Sequence, residues 1–214
     1  MSKIQIDVVT DIVCPWCFIG VKRLHKVLAE AGTEAQIIHH PFFLDPTVPP
    51  EGIDVAEKMR KRFGGDPGPM FARVEAEARK SGIELDLAKQ PRMRPTAAAH
   101  TLIRHALDKG TQDALATALF EAHFMDARNI ADPDVLGEIG EHHGFTAEEA
   151  RRLATDPAEL EITRQEAAAA AQGGISGVPF FVFNRRLALS GCQPEDVFEQ
   201  ALAQATEADA EAGA

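Results

Sequence analysis

Two cysteines flanking a proline and a tryptophan, Cys14-Pro15-Trp16-Cys17, are the residues of this chain best suited to chemistry. A thiolate is both a nucleophile and a leaving group, so two thiols one helical turn apart can close a disulfide and open it again. Cys14 falls where a strand gives way to a helix, at the N-cap. There the unpaired backbone N–H groups and the positive end of the helix dipole favour an anion. Cysteines in such motifs titrate at roughly 3.5–7.5 instead of about 8.5. Pro15 suits the first helical position, because its missing N–H would be unpaired there anyway. Cys17 comes back under Cys14 on the buried face of the helix. The expectation is that Cys14 attacks a disulfide and Cys17 resolves the intermediate. Zinc would need two further ligands; there is no second C-x-x-C, and the adjacent pairs His39-His40 and His142-His143 are poorly placed to face one ion. No metal site is expected.

A second segment, Gly173-Gly174-Ile175-Ser176-Gly177-Val178-Pro179-Phe180-Phe181, sets a proline at the start of a strand after a glycine-rich turn. That is a common place for a cis peptide bond, and Val178–Pro179 is expected to be cis. Such a bond would shape a groove in which Val178 and Pro179 offer backbone groups to an extended substrate segment. Trp16, the only tryptophan, is either a docking platform beside the nucleophile or partly buried. Asp11 can tune Cys14, relay a proton to Cys17 through water, or cap the turn. His100 can approach the site or serve the core; Phe42 and Phe43 read as core.

The elements that must position these residues follow from periodicity. Residues 3–10 read as a buried strand, and Cys17, Val21, Leu24 and Leu28 mark a helix stopped by Gly32. Ile37 to Phe43 reads as a second strand. Strand, helix and strand form a βαβ unit with parallel strands. From Asp54 to about Ala154 the chain is helical, with candidates Val55–Phe63, Met70–Ser81, Thr96–Lys109, Gln112–Asp126, Pro133–His143 and Ala147–Ala154. A further helix, Pro157–Gln172, precedes strands Pro179–Phe183 and Leu187–Leu189, joined by a turn at Asn184-Arg185, and a last helix, Glu195–Ala205. Neither end has enough strands for a stable sheet. Together they make an α/β fold, βαβ followed by αββα, around a mixed sheet of about four strands. Its expected division is 1–50 with 155–206, interrupted by a helical insertion at 51–154 that acts as a lid, and a frayed acidic tail at 207–214.

Over 214 residues the chain is 45% hydrophobic and 26% charged, a soluble globular composition. Its net charge of −11 makes nucleic acid and anionic membranes poor partners. No apolar run approaches the ~18 residues of a membrane span. Asp7 and Asp11 interrupt the first apolar stretch, so no secretory signal is expected and the compartment is expected to be the cytoplasm. In that reducing setting a close cysteine pair reads as catalytic, not structural.

The entry Asp11-Ile-Val-Cys14-Pro-Trp-Cys17, the segment His40-Pro-Phe-Phe-Leu-Asp-Pro46, Ala99-His100, Gly177-Val-Pro-Phe-Phe181 and Ser190-Gly-Cys-Gln193 together resemble the DsbA-like FrnE group. The likeness covers Ile4 to about Leu202. It implies a thioredoxin-like fold with a helical insertion, dithiol–disulfide oxidoreductase or isomerase activity, and a cis-proline loop against the active-site disulfide. Partners would be disulfide-containing proteins or small thiols, with no bound cofactor and glutathione as a candidate redox partner; the chain would be a monomer or homodimer. Two departures stand out. Cys192 replaces the alanine before the family's glutamine, either as a small packed residue or as a third exchanging thiol. Pro95 replaces the asparagine before Thr96. Related kappa-class glutathione transferases and 2-hydroxychromene-2-carboxylate isomerases carry serine where Cys14 stands, so a glutathione-dependent isomerase or transferase is the alternative activity. A non-enzymatic redox sensor is the other.

Overall fold

A computed structural model describes residues 4–212, with side chains through Glu207. The order is β1 (Ile4–Thr10), α1 (Pro15–Glu30), β2 (Ala35–Pro41), β3 (Ile53–Asp54), α2 (Val55–Phe63), α3 (Gly68–Lys80), β4 (Arg92–Met93), α4 (Ala97–Ala106), α5 (Gln112–Phe124), α6 (Pro133–Glu141), α7 (Ala147–Thr155), α8 (Pro157–Gln172), β5 (Phe180–Phe183), β6 (Leu187–Ser190) and α9 (Glu195–Ala212). Four strands form a mixed sheet in the order β2-β1-β5-β6. β1 runs parallel to β2, with Ile6 opposite Ile37, and antiparallel to β5, with Val8 opposite Phe181. This is the α/β architecture expected, assembled from the two ends of the chain with helices α2 to α7 between them.

α1 begins at Pro15 because Cys14 takes an extended conformation (φ −94°, ψ 110°) and its carbonyl accepts the first helical bonds, from Cys17 N–H at 3.0 Å and Phe18 N–H at 3.3 Å. It ends in a Schellman turn: Gly32 has φ +59° and Thr33 N–H donates to the Leu28 carbonyl. Its inner face buries Cys17, Val21, Leu24 and Leu28. α9 packs on α1 and on β5 and β6, and Phe181 meets Phe198 edge-on at 4.9 Å. α4, α5 and α8 pack against β2. Phe18 lies between Phe120 and Phe124, with ring centroids 5.6 and 5.9 Å away, which ties α1 to α5. One continuous buried cluster runs from β1 through α1 into the helices that follow β2.

Several boundaries differ from the sequence expectation. β2 starts and ends two residues early; Phe42 N–H still donates to the Thr10 carbonyl of β1 at 3.0 Å, and the chain bends at Leu44. The bridge between β3 and β4 was not expected, since two-residue strands have no readable period. α9 runs to Ala212, past the expected helix end at Ala205, because alanine and glutamate propagate a helix well. Residues 1–3, 213 and 214 lie outside the described residues, and with them the start of the first strand and the end of the tail. The turn at Asn184-Arg185 has positive φ at both residues (47° and 57°), as a type I′ hairpin requires.

Candidate active site

Cys14 occupies the N-cap of α1 as anticipated, with Pro15 at the first helical position. The Cys14 N–H donates to the Asp11 carbonyl at 3.0 Å, which closes the turn that carries β1 into the helix. Cys14 is 4% exposed and Cys17 fully buried, and all three cysteines are free thiols. The Cys14 Sγ lies 3.9 Å from the Val178 carbonyl oxygen. The Val178–Pro179 bond is cis, so the loop before β5 meets the start of α1 as expected. Gly20 makes this approach possible: a Cβ there would sit 3.1 Å from both Pro179 Cγ and Phe181 Cζ.

Burial pushes the Cys17 thiol well above its ordinary pKa, and a hydrogen bond and charge from Cys14 push the same way. The Asp11 backbone N–H reaches the Cys17 sulfur and opposes that rise, while the Asp11 carboxylate adds to it. Asp11 is itself buried. Its Oδ2 accepts from Leu44 N–H at 2.8 Å, and its Oδ1 stands 3.5 Å from His100 Nε2.

A cavity of about 310 Å³ opens beside Cys14, Pro15, Trp16 and Val178. Met59 and Phe63 of α2 and Met70 and Phe71 of α3 roof it, so the helical segment covers the Cys14 end of the sheet. Trp16 is half-buried here and lines the cavity beside the nucleophile. Phe42 is buried as expected; Phe43 is only half-buried, its ring 5.9 Å from His100. His123 and Gln90 also line the cavity, and no sequence motif marked either. Burial lowers the His123 pKa to about 4.

Cys192 lies against Arg23. Arg23 of α1, itself buried, donates to the Gln193 carbonyl at 3.0 Å, with the Cys192 Sγ 3.6 Å from the same nitrogen. Burial pushes Cys192 up to about 11, the Arg23 charge opposes this, and a smaller upward push comes from Cys14. The histidine pairs of the sequence do not converge. His39 instead shares Asp113 with His25, at 2.9 Å from each ring, and Gln112 brackets the His39 backbone through its N–H and carbonyl. Among the described residues, no group of three or more His, Cys, Asp or Glu side chains could hold a metal ion. Nor is any described helix long and apolar enough to cross a membrane.

Residues 5–203 match the model of the DSBA-like thioredoxin domain. Among solved structures, a probable DsbA oxidoreductase from Streptomyces coelicolor is 32% identical with a TM-score of 0.83, over 95% of this chain and 90% of that one. A 2-hydroxychromene-2-carboxylate isomerase is 14% identical with a TM-score of 0.71, over 97% and 98% of the two chains. The cytosolic disulfide reductase DsbM from Pseudomonas aeruginosa, solved with glutathione, is 20% identical with a TM-score of 0.65, over 95% and 99%. The last two likenesses concern the fold.

Proposed function

The chain belongs to the DSBA-like thioredoxin domain family, and we propose that it is a thiol–disulfide oxidoreductase in which Cys14 attacks and Cys17 resolves. The observation that carries this reading is the asymmetry of the pair: Cys14 caps a helix and lines a cavity, whereas Cys17 is wholly buried one turn later. The Cys14 thiolate attacks one sulfur of a substrate disulfide, and the other sulfur leaves as a thiolate that takes up a proton. Cys17 loses its proton and attacks the Cys14 sulfur. The mixed disulfide breaks, the second substrate thiolate leaves, and Cys14–Cys17 closes. Oxidation of a dithiol substrate runs the same steps backwards.

Methionine and aromatic side chains around the cavity favour a disulfide-containing polypeptide with a bulky apolar side chain next to its cysteine. Trp16 and the Val178–Pro179 backbone are the proposed contacts, with segment 51–154 acting as the lid. A small thiol, glutathione being the candidate, would reset the pair in the reducing cytoplasm.

Reduced protein is expected to accelerate reduction of insulin disulfides by dithiothreitol, and Cys14→Ser is expected to abolish the acceleration. Acceleration that survives serine at this position would overturn the reading, whereas a glutathione-dependent isomerisation that survives it would favour the isomerase alternative. Absence of turnover in the unmodified protein would favour a sensor.

A further inference from the structure

Two buried polar side chains stand among the apolar walls of the Cys14 cavity, Gln90 and His123. Gln90 is engaged with backbone. Its Nε2 donates to the His123 carbonyl at 3.1 Å and the Arg128 carbonyl at 3.4 Å, and its Oε1 accepts from Arg92 N–H at 3.4 Å. These bonds hold the end of α5 in place. The His123 side chain has no such partners. Its ring meets Phe124 edge-on at 4.6 Å, and Phe124 stacks on Phe18 of α1, which fixes the imidazole against the cavity. Nδ1 is sealed from solvent and unpaired, and no described residue bonds Nε2, the ring nitrogen left to face the cavity. At 2% exposure, an imidazole without hydrogen bonds is uncommon and costly, and the cavity is where a partner can enter.

The surroundings specify the chemistry of that partner. Burial lowers the His123 pKa, the Arg94 charge pushes the same way and the Asp11 charge opposes, so the ring is neutral near physiological pH. A neutral imidazole in an apolar enclosure does not compensate an entering carboxylate or ammonium for its lost hydration. A hydroxyl both donates and accepts, so it satisfies Nε2 in either tautomer of the ring. The walls select what carries the hydroxyl. Three of the chain's five methionines, Met59, Met70 and Met93, converge here with Phe63 and Phe71. Thioether sulfurs pack favourably at the edges of aromatic rings. A volume of about 310 Å³ is at the small end for a binding site and suits one large side chain beside the reacting sulfurs.

We propose that His123 is a specificity residue, which hydrogen-bonds the phenol hydroxyl of a tyrosine next to the substrate's disulfide cysteine while Met59, Met70 and Met93 pack on the ring. This deepens the exchange reading above and rests on it. His123 takes no part in the sulfur chemistry; it holds the neighbouring side chain, and so the substrate sulfur, at Cys14.

The test uses two synthetic peptides that differ only in whether both neighbours of a single cysteine are tyrosine or phenylalanine. Each peptide is joined through its cysteine to thionitrobenzoate. The Cys14 thiolate attacks the peptide sulfur, the disulfide breaks, and the thionitrobenzoate anion leaves and is read by absorbance. Each second-order rate constant is divided by that of glutathione with the same peptide, which removes differences in intrinsic reactivity. The tyrosine peptide is expected to react about two- to ten-fold faster than the phenylalanine peptide, the span of one neutral hydrogen bond. His123→Leu is expected to bring that ratio to about one, with His123→Phe as the second variant should the first fail to fold. Equal rates in the unmodified protein, a faster phenylalanine peptide, or a tyrosine preference undiminished in the variants would overturn the proposal. If neither peptide releases thionitrobenzoate faster than it does with Cys14→Ser, the exchange reading itself fails.

Discussion

Gly20 sits inside α1, one turn beyond Cys17, where alanine would ordinarily be preferred by about 1 kcal/mol. The structure predicts the opposite outcome for Gly20→Ala. The added Cβ would lie 3.1 Å from Pro179 Cγ and 3.1 Å from Phe181 Cζ. Relaxed carbon contacts are about 3.5–4.0 Å, so both neighbours would have to yield. Phe181 is fully buried and packed edge-on against Phe198, which leaves it little room. Overpacking of this kind costs about 1–3 kcal/mol, and subtracting the propensity gain leaves a net loss of about 0–2 kcal/mol. Pro179 is the other neighbour, and pushing it away moves the Val178 carbonyl that faces the Cys14 sulfur at 3.9 Å. Urea denaturation measures the first effect, and the rate of Cys14 attack on an aromatic disulfide measures the second. In a Phe181→Leu background only the Pro179 contact remains, so the same substitution should cost less than it does in the unmodified protein. If Gly20→Ala stabilises the unmodified protein by about 1 kcal/mol with an unchanged attack rate, the packing argument is wrong.

Phe18→Ala, which removes the ring between Phe120 and Phe124, should cost about 3–5 kcal/mol in chemical denaturation. Burial alone would raise the Asp113 carboxyl, but hydrogen bonds from His25 and His39 hold it well below the carboxylate range, while burial lowers His39. In both cases the unfolded chain binds more protons, so stability falls with acidification: below the ordinary His value of 6.5 for His39, and below the ordinary Asp value of 3.8 for Asp113. Denaturation midpoints measured against pH should show both losses, and Asp113→Asn should remove the lower one. Cys192, raised to about 11 mainly by burial, should alkylate slowly, remain the single free thiol of the oxidised protein by mass spectrometry, and tolerate Cys192→Ala without loss of exchange.

The parts legible in the sequence are those whose chemistry is local. Cys14, Pro15 and Cys17 declare a helix start and a thiol pair together, because an N-cap, a first-turn proline and a one-turn spacing are all short-range. Val178-Pro179 and the turn at Asn184-Arg185 are local in the same sense. What was not legible depends on distant contacts. His123 meets the site only because Phe18 stacks on Phe120 and Phe124 and so sets α5 against α1. Asp11 and His100 were separately noticeable, but their pairing arises only where the turn after β1 meets α4. The β3–β4 bridge has too few residues to show an alternation. The alanine- and glutamate-rich end read as a loose tail because it lacks an apolar stripe, although those residues extend a helix on propensity alone.

The central claim is the division of labour between Cys14 and Cys17, and a trapping measurement tests it most directly. Cys17→Ala, incubated with a disulfide-bonded peptide, removes the resolving thiol and should accumulate a mixed disulfide. Peptide mapping by mass spectrometry then locates the adduct. The account predicts one peptide bound, at Cys14, with Cys192 still free. An adduct at Cys192, or no adduct at all, would contradict it.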